Sequence, residues 1–98
     1  MRYSVEKTKE FAKWFDNLND KQAQKSISVR IVRAEYGLLG NCKSLHNGVS
    51  EMKIDIGKGY RVYFTIRQQK IIFLLLGGNK STQQEDIKKA VKLAEQIK

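Results

Sequence analysis

The second half of the chain contains a segment that alternates between two faces, and this alternation constrains the fold most. Over residues 60–67, apolar side chains take every second position, while Arg, Tyr and Thr take the positions between them. A period of two is typical of a β-strand with one face in the core. The next run, KIIFLLL at 70–76, is apolar on both faces and predicts a central strand covered on both sides. The chain must therefore build a sheet around these two strands.

Two more strands are predicted from weaker versions of the same pattern. Residues 51–56 alternate, and the Gly-Lys-Gly sequence at 57–59 marks a turn into the next strand. Residues 2–7 alternate weakly and predict a short first strand. The glycine pair at 77–78 is expected to end the last strand. Three successive strands with short turns predict an antiparallel meander.

Three helices are predicted from apolar residues at helical spacing. Thr8 and Asp20 are suitable N-caps for the first two, and Gly37 can end the second in a left-handed conformation. Ser81 and Thr82 each begin a capping-box spacing that opens the third helix. The expected fold is a single α+β domain over 1–98, with the order β-α-α-β-β-β-α. We expect two layers, with the helices covering one face of an antiparallel sheet.

The charge balance favours a polyanionic partner, either nucleic acid or an acidic protein. The chain has 19 Lys and Arg against 10 Asp and Glu, a net charge of +9, and residues 41–80 alone carry seven basic and two acidic groups. Charges are scattered through the first 15 residues, where a signal peptide would need an unbroken apolar run, so none is expected. No apolar run approaches the roughly 20 residues that cross a bilayer. The lone Cys42 fits a reducing cytoplasm, where we expect the protein. With one His and one Cys, no metal and no other cofactor are expected.

A polar face is expected across the two central hairpins. The simplest registers pair Ile56 with Tyr60 and Arg67 with Lys70. Lys80, which follows the glycine pair, can then return to the end of the sheet that carries Arg61. Such a surface resembles a phosphate-handling site, although one-sided antiparallel sheets usually have a polar outside. The pairs expected on this face are Asp55 with Arg61, Lys53 with Tyr63, and Glu51 with Thr65, opposite the face of Val62, Phe64 and Phe73.

Residues 48–64 and 71–96 together resemble the RelE/ParE superfamily of toxins, and in particular its HigB-like, phage-derived addiction module killer branch. The resemblance implies a compact antiparallel sheet with two N-terminal helices and one C-terminal helix. It also implies metal-independent cleavage of mRNA in the ribosomal A site and neutralisation by a HigA-like helix-turn-helix antitoxin. The residues that carry it are Gly40-Asn41, Glu51, Gly59-Tyr60-Arg61-Val62-Tyr63, Gly77-Gly78-Asn79-Lys80, Gln83 and Asp86-Ile87.

The resemblance also assigns residues to the site. Arg61 matches the strand arginine that contacts the scissile phosphate, Lys80 matches the basic residue after the glycine turn, and Lys53 and Lys58 lie where relatives carry further lysines. The Tyr or His-Tyr pair that relatives place near the C-terminus is missing from STQQEDIKKAVKLAEQIK.

RNA cleavage by the 2′-hydroxyl needs a base, an acid and positive charge on the phosphorane. Glu51, Asp55 or a lysine with a lowered pKa are candidates for the base, and Tyr63 for a proton relay or a base-stacking contact. The catalytic candidates are therefore Arg61, Lys80, Tyr63, Lys53 and Glu51, and the RNA-binding candidates are Lys58, Lys43, Arg30, Arg33 and His46.

Two other functions remain open from the sequence. One is a non-enzymatic inhibitor of DNA gyrase, like the ParE branch of the superfamily. The other is a basic RNA-binding module that holds RNA without cutting it. Arg30 and Arg33 can either contact ribosomal RNA or extend over the edge of the core.

Overall fold

The elements follow one another in the predicted order, with one additional strand. The computed structural model describes residues 2–97. The first half contains β1 (Ser4–Lys7), α1 (Lys9–Asp16), α2 (Lys21–Glu35) and β2 (Cys42–Ser44). The second half contains β3 (Val49–Ile54), β4 (Tyr60–Arg67), β5 (Ile71–Asn79), a 3-10 turn (Lys80–Thr82) and α3 (Gln83–Glu95). The α+β class is confirmed. No helix in this part of the chain is long and apolar enough to cross a membrane.

The five strands form one mixed sheet in the order β1-β5-β4-β3-β2. Strands β3 to β5 form the predicted antiparallel meander, β2 adds to it as a further antiparallel strand that was not predicted, and β1 pairs with β5 in the parallel direction. A parallel pair needs a long connection, and the rest of the fold between the two strands provides it. Thr8 fixes the end of β1, since its hydroxyl donates to the carbonyl of Leu75 at 2.6 Å.

The prediction that all helices cover one face is wrong, because α3 lies on the other face of the sheet. The core under α1 and α2 contains Phe11, Ile27 and Val62, whereas Tyr63 and Leu75 belong to a second core under α3. Neighbouring residues of a strand point to opposite faces, so β4 is buried on both sides. The second core is closed by two small residues of α3, Ala90 and Ala94, which allow the helix to approach the sheet closely.

The register of the central hairpin differs by two residues from the simplest one. The turn from β3 to β4 takes five residues, 55–59, with Gly57 and Gly59 at positive φ. A shift of two keeps every side chain on its predicted face, because the period of a strand is two. The observed pairs are Ile54 with Tyr60, Lys53 with Arg61, Glu51 with Tyr63, and Val49 with Thr65.

The register between β4 and β5 also differs from the prediction. Arg67 pairs with Ile71 rather than Lys70, and an irregularity between Tyr63 and Phe64 adds one residue on β5. Phe73 therefore lies opposite Thr65, on the α3 face, so its predicted place on the face of Val62 and Phe64 is wrong. An extra residue in one strand lets the strand bend and twist.

The glycine pair does not end β5, which continues to Asn79. A Cβ at Gly77 would overlap the six-membered ring of Trp14, and a Cβ at Gly78 would overlap the carboxylate of Asp86. Trp14 belongs to α1 and Asp86 to α3, so the two glycines admit one helix from each side of the sheet.

The predicted caps of the first two helices are confirmed. Thr8 Oγ1 accepts from the Phe11 amide and Asp20 Oδ1 from the Ala23 amide, each at 3.0 Å. The capping boxes predicted at Ser81 and Thr82 are not formed, because the chain enters α3 through the 3-10 turn. There Asn79 and Thr82 make the capping box instead.

Candidate functional site

A cationic pocket opens at the end of the sheet where β3 turns into β4. Its volume is about 350 Å³. Arg61 comes from the start of β4, Lys58 from the turn, Lys53 from β3 and Lys80 from the 3-10 turn after β5, and Asp55 is the one carboxylate among the lining residues. We call this the cationic pocket. Its lining consists of Lys53, Asp55, Ile56, Gly57, Lys58, Gly59, Arg61 and Lys80.

Arg61 lies at the inner wall of this pocket and is held rigidly. Only 6% of the residue is exposed. Its Nη1 donates to the carbonyl of Gly59 at 2.9 Å, and its Nε lies 3.7 Å from Oε1 of Glu51. Because the guanidinium is oriented by the fold, it needs little rearrangement to meet a phosphate in the pocket.

Glu51 lies behind Arg61 and does not line the pocket. It is 4% exposed, and its Oε1 accepts a hydrogen bond of 2.6 Å from Nε2 of Gln83. Gln83 is the first residue of α3. A chain of contacts thus runs from α3 through Glu51 to the guanidinium. No role is expected for Gln83 from spacing alone, since its partner is 32 residues away in sequence.

Tyr63 is fully buried beneath α3, with no face of its ring open to solvent. Its hydroxyl has no hydrogen-bond partner among residues 2–97. Burial raises the pKa of Tyr63, the negative charges of Glu51 and Asp86 raise it further, and Arg61 opposes them. The phenol therefore stays protonated at neutral pH, and in this conformation it cannot stack on a base.

The three lysines of the pocket are more accessible than Arg61. Nζ of Lys53 lies 3.7 Å from Oδ1 of Asp55, in a pair whose side chains are 43% and 67% exposed. Lys58 and Lys80 are exposed. Gly59 lies close to both sides of the pocket: a Cβ there would be 3.5 Å from Nη1 of Arg61 and 3.6 Å from Cβ of Lys80. Arg61 and Lys80 thus face the same space, as predicted.

The other predicted RNA-binding residues lie outside the pocket. Arg30 is tied to the fold: Nη1 donates to the Lys53 carbonyl at 2.6 Å and Nη2 to the Leu39 carbonyl at 3.2 Å. Arg33 is exposed and shares a separate groove of α2 with Arg30. The remaining two, Lys43 on β2 and His46 in the loop after it, are also exposed.

The sheet, with a helical hairpin on one face and a C-terminal helix on the other, has the fold of the RelE toxin. Over 94% of this chain and 97% of the other, it matches a free-state structure of E. coli toxin RelE with two arginines changed to alanine, with a TM-score of 0.76 and 18% sequence identity. The chain belongs to the family of phage-derived Gp49-like proteins (DUF891), whose model matches residues 13–98.

The chain also matches a relative over nearly its whole length. An uncharacterized protein of Haemophilus influenzae is 39% identical over 97 residues, which cover 99% of this chain and 98% of that protein. The resemblance to the phage-derived branch of the RelE-like superfamily is thereby confirmed in family and fold.

Proposed function

We propose that this protein is the toxin of a type II toxin–antitoxin pair and that it cuts messenger RNA on the ribosome. Its family and its RelE-like fold support a toxin. The observation that supports nuclease activity is the cationic pocket, where Arg61 and three lysines converge from four separate segments of the chain. Four cations around a space of this size suit a phosphodiester and its two flanking sugars.

The reaction needs no group beyond the RNA and the side chains of the pocket. The 2′-oxygen bonds to phosphorus, the bond from phosphorus to the 5′-oxygen breaks, and the products are a cyclic phosphate and a free 5′-hydroxyl. Arg61 and Lys80 stabilise the charge of the phosphorane. Asp55, the carboxylate at the pocket, takes the 2′ proton, and Lys53 gives a proton to the departing 5′-oxygen. Glu51 and Gln83 hold Arg61 in place and do not contact RNA.

The partners follow from the same charges. A net charge of +9 favours the ribosomal RNA surface, where Lys43, His46, Arg33 and Lys58 supply further contacts. The antitoxin that neutralises the protein is proposed to be a HigA-like helix-turn-helix protein that covers the cationic pocket. With these partners, the proposed location is the cytoplasm.

The test is induction of the protein in bacteria without an antitoxin, followed by mapping of new mRNA 5′ ends. Wild type should stop growth and produce cuts within reading frames. Lys80→Ala should remove toxicity, because it removes a cation that stabilises the phosphorane. Lys80 is exposed, so its loss leaves the core intact. Lys89→Ala, an exposed lysine of α3, is the matched control and should stay toxic. Arg61→Lys keeps the buried charge but loses the planar fork, and should also be inactive.

Three results would contradict the proposal. Normal growth on induction would remove the toxin assignment. Growth arrest with intact mRNA and a DNA-damage response would instead identify a gyrase inhibitor. Arrest with RNA bound but uncut, equal in wild type and Lys80→Ala, would identify an RNA-binding module.

A further inference from the structure

A second cleft borders the cationic pocket and is built from different chemistry. It has a volume of about 570 Å³ and shares Gly57 and Lys58 with the cationic pocket. Its other walls are the connection between α1 and α2, the start of β4 and the end of β5. We call it the amide cleft, after the side chains that distinguish it. These are Asn17, Asn19 and Asn79, together with Asp20, Trp14 and Tyr60.

The charges of the two cavities differ. The cationic pocket has four cations and one carboxylate, whereas the amide cleft has Lys58 as its one cation and Asp20 as its one carboxylate. Asn17 and Asn19 are exposed, and their side chains make no hydrogen bond with residues 2–97. The amide cleft thus offers free donors and acceptors to a neutral polar group, while the cationic pocket attracts an anion.

Trp14 and Tyr60 line the amide cleft beside the amides; Tyr60 is buried and Trp14 is partly exposed, so the indole is the ring that a base can reach. The ring centroids of Trp14 and Tyr60 are 6.4 Å apart, and the two rings meet edge to face. Single-stranded RNA is usually recognised by aromatic contact with an unstacked base and by hydrogen bonds to its edges. The geometry points to the amide cleft as the site of a nucleobase whose own phosphate lies in the cationic pocket. This assignment rests on the proposed function, since it takes RNA as the substrate.

Asp20 makes the amide cleft selective among bases. Its Oδ1 is used by the Ala23 amide, but its Oδ2 has only the Tyr60 hydroxyl, at 3.4 Å. That oxygen accepts from an exocyclic amino group, which adenine, cytosine and guanine have and uracil lacks. Uracil offers this oxygen only its ring N3–H and no amino group, so uridine is the poorest occupant.

The walls of the amide cleft are rigid before RNA arrives. The cap by Asp20 fixes the start of α2, and Nε2 of Gln24 donates to the Phe15 carbonyl at 2.8 Å, which joins α2 to α1. A Cβ at Gly57 would lie 3.3 Å from Oδ2 of Asp20, so the β3–β4 turn packs against this corner. A preorganised site of this kind loses little conformational entropy when it binds.

Trp14 is the single tryptophan of the chain and provides the first test. Titration of the purified protein with adenosine 3′-monophosphate should quench its fluorescence to saturation. Ribose 5-phosphate, which has no base, should not do so, and uridine 3′-monophosphate should bind several-fold more weakly. Equal quenching by ribose 5-phosphate would overturn the assignment, and equal binding of uridine would overturn the role of Asp20.

The double variant Asn17→Ala/Asn19→Ala provides the second test, with Gln96→Ala at the far end of α3 as an exposed-amide control. The double variant should bind adenosine 3′-monophosphate about tenfold more weakly, as expected for two lost hydrogen bonds. Its mRNA cuts should continue but lose their preference for the base beside the cut. If the double variant kept both its base preference and its nucleotide affinity, the assignment of the amide cleft as a base-binding site would be overturned. Absence of cuts in wild type would instead contradict the proposed nuclease activity. The nucleotide titration would still test whether the amide cleft binds a base.

Discussion

Glu51 and Arg61 form an ion pair in the interior, with Oε1 of Glu51 3.7 Å from Nε of Arg61 and both side chains more than nine-tenths buried. A charge in this position is tolerated only with its partner. The same pair aims the guanidinium at the cationic pocket, so the stability of the fold and the geometry of the site depend on one contact.

Glu51→Ala should lower the free energy of unfolding by about 3–5 kcal/mol, because it leaves the Arg61 charge buried without a partner. Urea denaturation at neutral pH measures this. Glu85→Ala breaks an exposed pair with Lys88 and should change stability little. Equal stability of the two variants would show that Arg61 does not depend on Glu51.

Tyr63→Phe should keep the protein toxic and make it more resistant to alkali. The pKa of Tyr63 is raised in the folded state, so the contribution of this group is complete below the unfolded value of about 10 and is lost as pH rises above it. Tyr63→Phe has no phenol to ionise, so it does not lose stability in this way. Urea unfolding at neutral pH and near pH 11 should therefore show a smaller fall in stability for Tyr63→Phe than for wild type.

Tyr36 is exposed, and Tyr36→Phe is the matched control. Its stability should fall with rising pH as that of wild type does. Loss of toxicity in a folded Tyr63→Phe would instead give the phenol a part in the chemistry.

Gly77→Ala should destabilise the fold by about 1–3 kcal/mol or more, because its Cβ would enter the space of the Trp14 ring. Trp14→Leu alone should also be destabilising, since it leaves a cavity. The double variant should be more stable than the sum of the two single effects predicts. Thermal or urea unfolding of the four proteins measures this coupling, and strict additivity would contradict the close approach.

Binding to a short single-stranded RNA should weaken steeply with salt. Each lysine of the cationic pocket that contacts a phosphate contributes about 0.7 to the slope of log affinity against log salt. Lys58→Ala should lower the slope by about that amount, whereas Lys89→Ala should leave it unchanged. A wild-type slope near zero would mean that the pocket holds no phosphate.

The faces of β3 and β4 were predictable from the sequence, but the face of Phe73 on β5 and the strand partners were not. The alternation over 60–67 places Arg61 and Tyr63 together on one face whatever the register, and the caps at Thr8 and Asp20 are local signals. The register depends on turn length, and a five-residue turn moves each pair by two positions without changing the pattern. Asp55 and Arg61, which were predicted to be a cross-strand pair, are not paired but both line the cationic pocket.

The placement of α3 was not predictable from its own amphipathic pattern, which fits either side of a sheet. The face of Arg61, Tyr63 and Thr65 resembles a solvated surface in sequence, yet these residues are at most 6% exposed. Arg61 is neutralised by a partner ten residues away, and Thr65 donates to the Gly48 carbonyl at 2.7 Å. Polar residues satisfied by such distant contacts give no local signal of burial.

At Gly77 and Gly78 only bare backbone separates the indole of α1 from the carboxylate of α3. Gly78 lies one residue before Asn79 and two before Lys80. A displacement of the N-terminal hairpin has no flexible side chain at this point to absorb it, so we expect it to press on the opposite helix. A protein bound to the outer surface of the hairpin would thereby act on the glycines that precede Lys80.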